Sequence, residues 1–244
     1  LASGGPLPGA RLMHTMSERS ALYRQSTRRR VFALVLLGAL AALPLLLDTV
    51  ADRRSKPADD LISYLVATEL SEDEVVAAVV LLLNAGHEAS VNVFGNGLTA
   101  MLRRGLRPGA DVPRTVEEML RFDSALQLFE RTAMEDVRLG GEEQGVVVEE
   151  GQKVAALLGA ANRDPAVFDQ PDVFDVDRDP NNHLAFGVGV HFCLGAPLAR
   201  MELAESVGAL FETFPDLHLA GEPVSRGTFV LRGYRSVPVG GTRA

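Results

Sequence analysis

The chain has 244 residues, 47% hydrophobic and 23% charged. That balance fits a folded protein with a substantial core in one or two domains and excludes a disordered chain. A formal net charge of −8 argues against a nucleic-acid-binding surface, and a single cysteine excludes an internal disulfide and any multi-cysteine zinc spacing.

Residues 1–30 are rich in Gly, Pro, Ser and Arg, lack periodicity and read as loop. They carry a net +5, which leaves −13 for the rest. Residues 31–47 are apolar throughout, with Gly38 and Pro44 inside and three arginines before them. A short membrane anchor or signal-like segment is one reading, and a buried helix of a soluble protein is the other. The run is at the lower limit for spanning a bilayer and Pro44 interrupts it, and the stretch alone leaves both readings open. Asp48 to Pro57 reads as a polar helix end and turn, and Asp59-Asp60 starts a helix at Leu61.

Ser71-Glu72-Asp73-Glu74 forms a capping box for a long helix to about residue 102. Val75 to Leu83 is apolar on every face, which predicts a buried helix. Asn84, Ala85, Gly86, His87, Glu88, Ala89 and Ser90 follow. Polar groups in a buried helix are costly unless satisfied and so mark a site, and Gly86 permits a kink and close approach of a ligand. A kinked core helix with a chance polar cluster explains the same residues.

Residues 103–109 are a basic turn. Asp111 caps a helix from Val112, with Pro113 in its first turn. Glu118 and Arg121 lie three apart on one face, the spacing of an ordinary surface ion pair. Residues 137–139, 146–148 and 154–158 read as short strands, with 142–145 a hairpin tip or small insertion. Residues 162–181 are turn-rich, anchored by Phe168 and Phe174, and His183 reads as structural. Leu217-His218-Leu219 and Thr228 to Gly233 are candidate strands of a terminal hairpin, where Phe229 and Val230 either touch substrate or pack the sheet.

Between these lies Phe186-Gly187-Val188-Gly189-Val190-His191-Phe192-Cys193-Leu194-Gly195-Ala196-Pro197-Leu198-Ala199-Arg200. Two glycines suit a tight turn under something flat, and Pro197 suits the first turn of a helix that ends near Phe214, before Pro215. Cys193 therefore sits where a helix begins, where the dipole and free N–H groups favour a thiolate, and Gly195 lets those groups approach the sulfur. A buried thiolate needs a cation, and iron is its natural partner. The plain alternative is a buried free cysteine.

The string Phe-Gly-x-Gly-x-His-x-Cys-x-Gly-x-x-Leu-Ala-Arg resembles the haem-binding loop of the cytochrome P-450 family. The resemblance runs from about residue 55 to 239. It implies a mainly α fold with small β-sheets, incomplete on its N-terminal side: residues 55–244 as the C-terminal part of a haem-binding monooxygenase domain, residues 1–54 unmatched. It implies Cys193 as the axial iron ligand of haem b (iron protoporphyrin IX), with Phe186 shielding the sulfur and Gly187 and Gly195 shaping the loop. His191 and Arg131 would bind haem propionates. Ala85-Gly86 would form the oxygen-binding kink and Glu88 its acid. Ala89 stands where the family commonly has threonine, so Glu88, Ser90 and ordered water would deliver protons. Glu118-Met119-Leu120-Arg121 matches the family's Glu-x-x-Arg, a buried pair locking its helix to the loop before the cysteine, and residues 124–130 would line the substrate pocket.

The implied activity is a bacterial monooxygenase of secondary metabolism, hydroxylating a small organic substrate with O2 in the cytoplasm. Electrons would come from a ferredoxin and ferredoxin reductase. Two alternatives stand beside it: a truncated, catalytically incompetent haem-binding fragment, since residues 1–47 do not resemble the family's N-terminal region, and a haem protein anchored through residues 31–47.

Overall fold

The computed structural model describes residues 44–140 and 145–244. Most of the apolar run 31–47 and most of the proposed hairpin tip 142–145 lie outside the described residues. The chain divides into two compact units, one up to Leu83 and one from Asn84.

In the first unit residues 44–55 are helical (α1), followed by α2 (Leu61–Val66) and the beginning of α3 (Glu72–Leu102). Asp60 caps α2 by accepting the Ser63 N–H at 2.8 Å. The Arg53 hydrogen bond, with that from Ser63, holds the Asp60 carboxyl down to about 2. The capping box forms as the sequence predicts: Ser71 N–H and Oγ both reach Glu74 Oε2 at 2.8 Å, and Glu74 N–H returns to Ser71 Oγ at 3.4 Å. Val50, Val75 and Val76 bury against Ile62, Leu65 and Val66.

α3 runs as one continuous helical segment through Gly86. One expectation for it fails. Leu81, Leu82 and Leu83 are exposed rather than buried. A helix apolar on all sides needs neighbours on all sides, and the described elements supply them only towards its two ends.

In the second unit the rest of α3 packs with α4 (Val112–Phe122) and α6 (Ala196–Thr213) around Met101, Met119, Leu120, Leu203 and Val207. A Cβ at Gly97 would collide with the Met119 side chain, so this glycine sets how closely α3 and α4 approach. By length and composition α3 could cross a membrane. Yet Asn96 is buried within it and donates to the carbonyls of Asp123 and Arg232 at 3.0 and 3.2 Å, contacts of a core helix in a globular unit.

Among the described residues, four two-stranded antiparallel sheets complete the unit: β1 (Phe129–Thr132) with β4 (Lys153–Ala156), β2 (Val137–Leu139) with β3 (Val146–Val148), β5 (His218–Leu219) with β8 (Val239–Gly240), and β6 (Val224–Ser225) with β7 (Tyr234–Ser236). The mainly α fold with small sheets is as expected. Of the candidate terminal strands, most of 217–219 forms as β5, whereas residues 228–233 form no strand. Instead Gln127 N–H donates to Val230 O at 2.9 Å and Arg232 N–H to Ala125 O at 2.7 Å, seating this segment beside the residues just after α4. The strand predicted over 154–158 stops at Ala156, and Leu158 begins the short helix α5 (Leu158–Ala161). Phe168 and Phe174 are buried, the anchors expected of the turn-rich segment.

Candidate functional site

The site is built on α4. Asp111 caps it, accepting the Arg114 N–H at 3.4 Å, and Pro113 fills its first turn. Glu118 and Arg121 project from it fully buried, not as a surface pair. Arg121 Nε and Nη2 donate to the two Glu118 oxygens at 2.7 Å each. Arg121 also donates to the carbonyls of Asn162, Pro171 and Val173. Glu118 in turn accepts from Arg178 at 3.1 Å, Asn181 at 3.2 Å and the Asp175 N–H at 2.9 Å. A buried carboxylate is tolerable only when its lone pairs are this fully used. The network pins the turn-rich segment that leads into the cysteine loop.

One residue earlier, Glu117 holds a second network. Arg200 of α6 donates to it through Nε at 2.7 Å and Nη2 at 2.9 Å. His183 Nε2 lies 3.0 Å from Glu117 Oε2, while His183 Nδ1 accepts the Ala185 N–H at 3.2 Å. A backbone N–H can only donate, so Nδ1 carries the lone pair and the neutral ring donates from Nε2. Burial pushes the Glu117 carboxyl up, but the His183 and Arg200 hydrogen bonds outweigh it and hold it at about 2. His183 is thus structural, as its sequence context suggests. Neither Glu117 nor Arg178 stood out in the sequence, because their partners are tens of residues away and leave no local spacing.

The cysteine loop runs from there. Gly187 and Gly189 have φ of +71° and +74°, a conformation that L side chains rarely adopt. A single 3-10 turn at Gly189–His191 follows, and the Cys193 N–H closes the loop on Phe186 O at 3.0 Å. Cys193 then precedes α6, with Gly195 at the cap position. Its sulfur is half-buried and free. Among the described residues no hydrogen bond reaches that sulfur, and Gly195 has an ordinary φ of −81°. A Cβ at Gly195 would stand 3.9 Å from Sγ, an ordinary contact, so the chain's own packing does not demand glycine there. Phe186 is half-buried, with the Phe192 ring edge-on at 6.3 Å and the Arg200 guanidinium 4.7 Å from its centroid. Around the sulfur, Val190 and Leu194 are 97% and 89% exposed, with Val188 and Phe192 exposed as well.

The other predicted residues lie apart from this loop in sequence and element. Ala85 and Gly86 are on an exposed stretch of α3, and a Cβ at Gly86 would meet nothing. Glu88 is exposed and accepts from Arg226 Nη1 at 2.8 Å. Ser90 is half-buried and two positions on, a spacing at which helical side chains do not face each other. Arg131 is exposed on β1, its guanidinium over the Phe129 ring and bonded only to the Glu130 carbonyl. His191 is exposed. Arg131 and His191 therefore have no carboxylate partner among the described residues. A cleft of about 300 Å³, lined by Asn96, Thr99, Arg104, Asp123, Arg163 and Arg232, holds none of these residues.

The donors fit a haem. Among the described residues no three His, Cys, Asp or Glu converge, so an all-protein metal cage is not available. A cofactor carrying its own equatorial ligands needs only the sulfur of Cys193. The loop glycines add no side-chain bulk, the exposed apolar side chains of the loop suit a flat apolar face, and His191 and Arg131 have N–H donors that could take carboxylates.

Comparison with known proteins agrees. The cytochrome P450 family model matches residues 112–223. The chain is 41% identical over 217 residues to cytochrome P450 107B1 of Saccharopolyspora erythraea, covering 82% of this chain and 52% of that protein. It is 40% identical to 6-deoxyerythronolide B hydroxylase of the same organism, covering 80% of this chain and 51% of the other. Among solved structures, P450BioI in complex with hexadec-9Z-enoic acid ligated acyl carrier protein superposes with a TM-score of 0.77 at 38% identity, covering 83% of this chain and 54% of that one. The chain spans about half the length of the curated relatives it matches. With the loop geometry and the α4 networks already in hand, these similarities establish that the chain belongs to the cytochrome P450 family and carries part of its fold.

Proposed function

We propose that this chain is the cysteine-bearing part of a haem-thiolate monooxygenase that hydroxylates a small organic substrate with O2, and that Cys193 would hold haem b through its thiolate. The observation that carries the reading is the half-buried, unbonded sulfur of Cys193 at the start of α6, on a loop closed by Phe186 O. When bound, the haem supplies oxygen activation at a thiolate-ligated iron. The chain's own residues do the rest. Phe186, fixed by Arg200, covers the sulfur side of the loop. His191 and Arg131 take the propionates, and Ala85 and Gly86 leave α3 low enough for a ligand to approach. Glu88 carries the proton-delivering carboxylate, and it must release Arg226 before it can pass a proton on. Ala89 contributes only a methyl group, which neither donates nor accepts, so Ser90 and water complete the route.

The relative named as a hydroxylase and the neighbour solved with an acyl chain on a carrier protein support an organic C–H substrate. Electrons would come from a ferredoxin and its reductase. The cytoplasm is the proposed location, supported by the buried asparagines of α3, with attachment through residues 31–47 the alternative.

Haemin reconstitution and a reduced CO-difference spectrum test the reading. The unaltered chain is expected to give the strongly red-shifted thiolate band, and Cys193→Ser is expected to abolish it. An identical spectrum from both overturns the assignment. A second reading, a haem-binding fragment without turnover, is favoured by the exposed Leu81, Leu82 and Leu83 and by the half-length match. It predicts the thiolate band but no substrate-dependent NADPH consumption when ferredoxin and reductase are added.

A further inference from the structure

We infer that Glu117 is a positioning residue for Cys193: a single carboxylate on α4 that closes both ends of the loop carrying the sulfur. His183 stands ten residues before the cysteine and Arg200 seven after it, and both end on the two oxygens of Glu117. Between them the segment is also tied by the Leu184 N–H on Asn162 Oδ1 at 2.7 Å, by Ala185 and Phe186 packing on the core and by its own turns, but the part around the sulfur is open. Val188, Val190 and Leu194 face solvent, and Gly187 and Gly189 weaken any local preference. The internal tie made by the cysteine's own N–H is to Phe186 O.

Glu117 acts on that tie through Arg200. With two nitrogens on the carboxylate, Arg200 has its guanidinium plane fixed, and that plane lies 4.7 Å from the Phe186 centroid. Phe186 supplies the carbonyl that holds Cys193, and its ring packs edge-on against Phe192 beside the sulfur. Contact therefore runs unbroken from Glu117 through Arg200 and Phe186 to Cys193. This differs from the Glu118 network, whose partners all lie in residues 121–181, before the loop. Glu118 fixes the approach to the loop, and Glu117 fixes the loop.

The haem consequence rests on the proposed function, whereas the loop closure does not, and the experiment separates them. In the chain without haem, Glu117→Ala is expected to speed amide hydrogen exchange at Cys193 on the order of ten-fold or more, the effect of losing charge-assisted hydrogen bonds, with the middle of α4 unchanged. After haemin reconstitution, the same variant is expected to shift a large share of its bound haem from the thiolate-type to the thiol-type CO band, normalised to haem content. A purely structural role would lower haem content and leave the band position alone. Glu117→Gln, which keeps the shape, and Arg200→Lys, which keeps the charge but not the fork, provide the same two readouts should Glu117→Ala not fold. Unchanged exchange at Cys193, or an unshifted band in variants that bind haem, overturns the inference. If the unaltered chain gives no thiolate band, the proposed function fails, while the exchange measurement still decides the loop closure.

Discussion

At the scale of single residues, the Glu118–Arg121 pair shows what a short motif can and cannot reveal. Three-residue spacing on a helix is commonplace, and alone it suggested a surface pair. Only the resemblance marked it as buried, and the structure shows Glu118 fully covered, with Arg121, Arg178, Asn181 and an Asp175 N–H around it. Removing one member of such a buried network leaves charge without a counter-charge. Glu118→Gln is therefore expected to cost about 3–5 kcal/mol, the usual penalty for breaking a buried pair, read as a lowered urea midpoint. A domain's whole stability is only about 5–15 kcal/mol, so the variant would sit near the edge of folding. A loss under about 1 kcal/mol would show that the pair is replaceable. The other motif residues, Cys193, Gly187 and Gly189, were legible because each offers something few residue types can: a free thiol, or an easy positive φ. Glu117 was not legible, since a carboxylate whose partners are 66 and 83 residues away looks like any surface glutamate.

Elements divide along the same line between local and distant causes. The helices were read well because their ends are written locally. Asp60 precedes α2, the Ser71–Glu74 box opens α3, Asp111 and Pro113 open α4, and Pro215 follows α6. Strands were read unevenly: 137–139, 146–148, most of 154–158 and most of 217–219 form as read, while others failed because pairing is settled elsewhere. Residues 228–233 have strand composition, yet their backbone bonds go to residues 125–127, and β1 went unread until its partner β4 was seen. The exposure of α3 at Leu81 to Leu83 is the same failure in another form: composition shows that a helix wants neighbours, not whether it has them. The local half of this contrast can be tested at α4. Asp111→Ala removes the cap and is expected to cost about 0.5–1 kcal/mol, at the low end for a cap because the bond is long. Asp111→Asn, which can still accept the Arg114 N–H, is expected to restore most of it. Thermal unfolding of the three proteins measures this, and equal midpoints would show the cap to be idle.

For the molecule as a whole, the Glu117 network makes stability depend on pH with a sign that can be worked out. Glu117 is held at about 2 in the folded chain, below its ordinary 4.5. The unfolded chain therefore binds its proton first as pH falls. The stabilisation is complete above the ordinary value and is lost between there and about 2. Its size is about 2 kcal/mol once solvent screening of a partly exposed side chain is allowed for. Asp123 works the other way. Burial raises its carboxyl despite Arg232 and Arg163 nearby, so its charged form costs stability at neutral pH, and that cost is relieved on acidification. Total stability therefore mixes opposed contributions, and a single acid-unfolding curve would not isolate Glu117. Comparison with Glu117→Gln does, because glutamine cannot titrate and every other group is shared. The stability difference between the two proteins, from urea titrations at a series of pH values, is expected to be largest at pH 7 and to shrink steadily below about pH 4.5. A difference that stays constant down to pH 3 would mean that Glu117 contributes by shape alone, and that the charge on Arg200 does not need it.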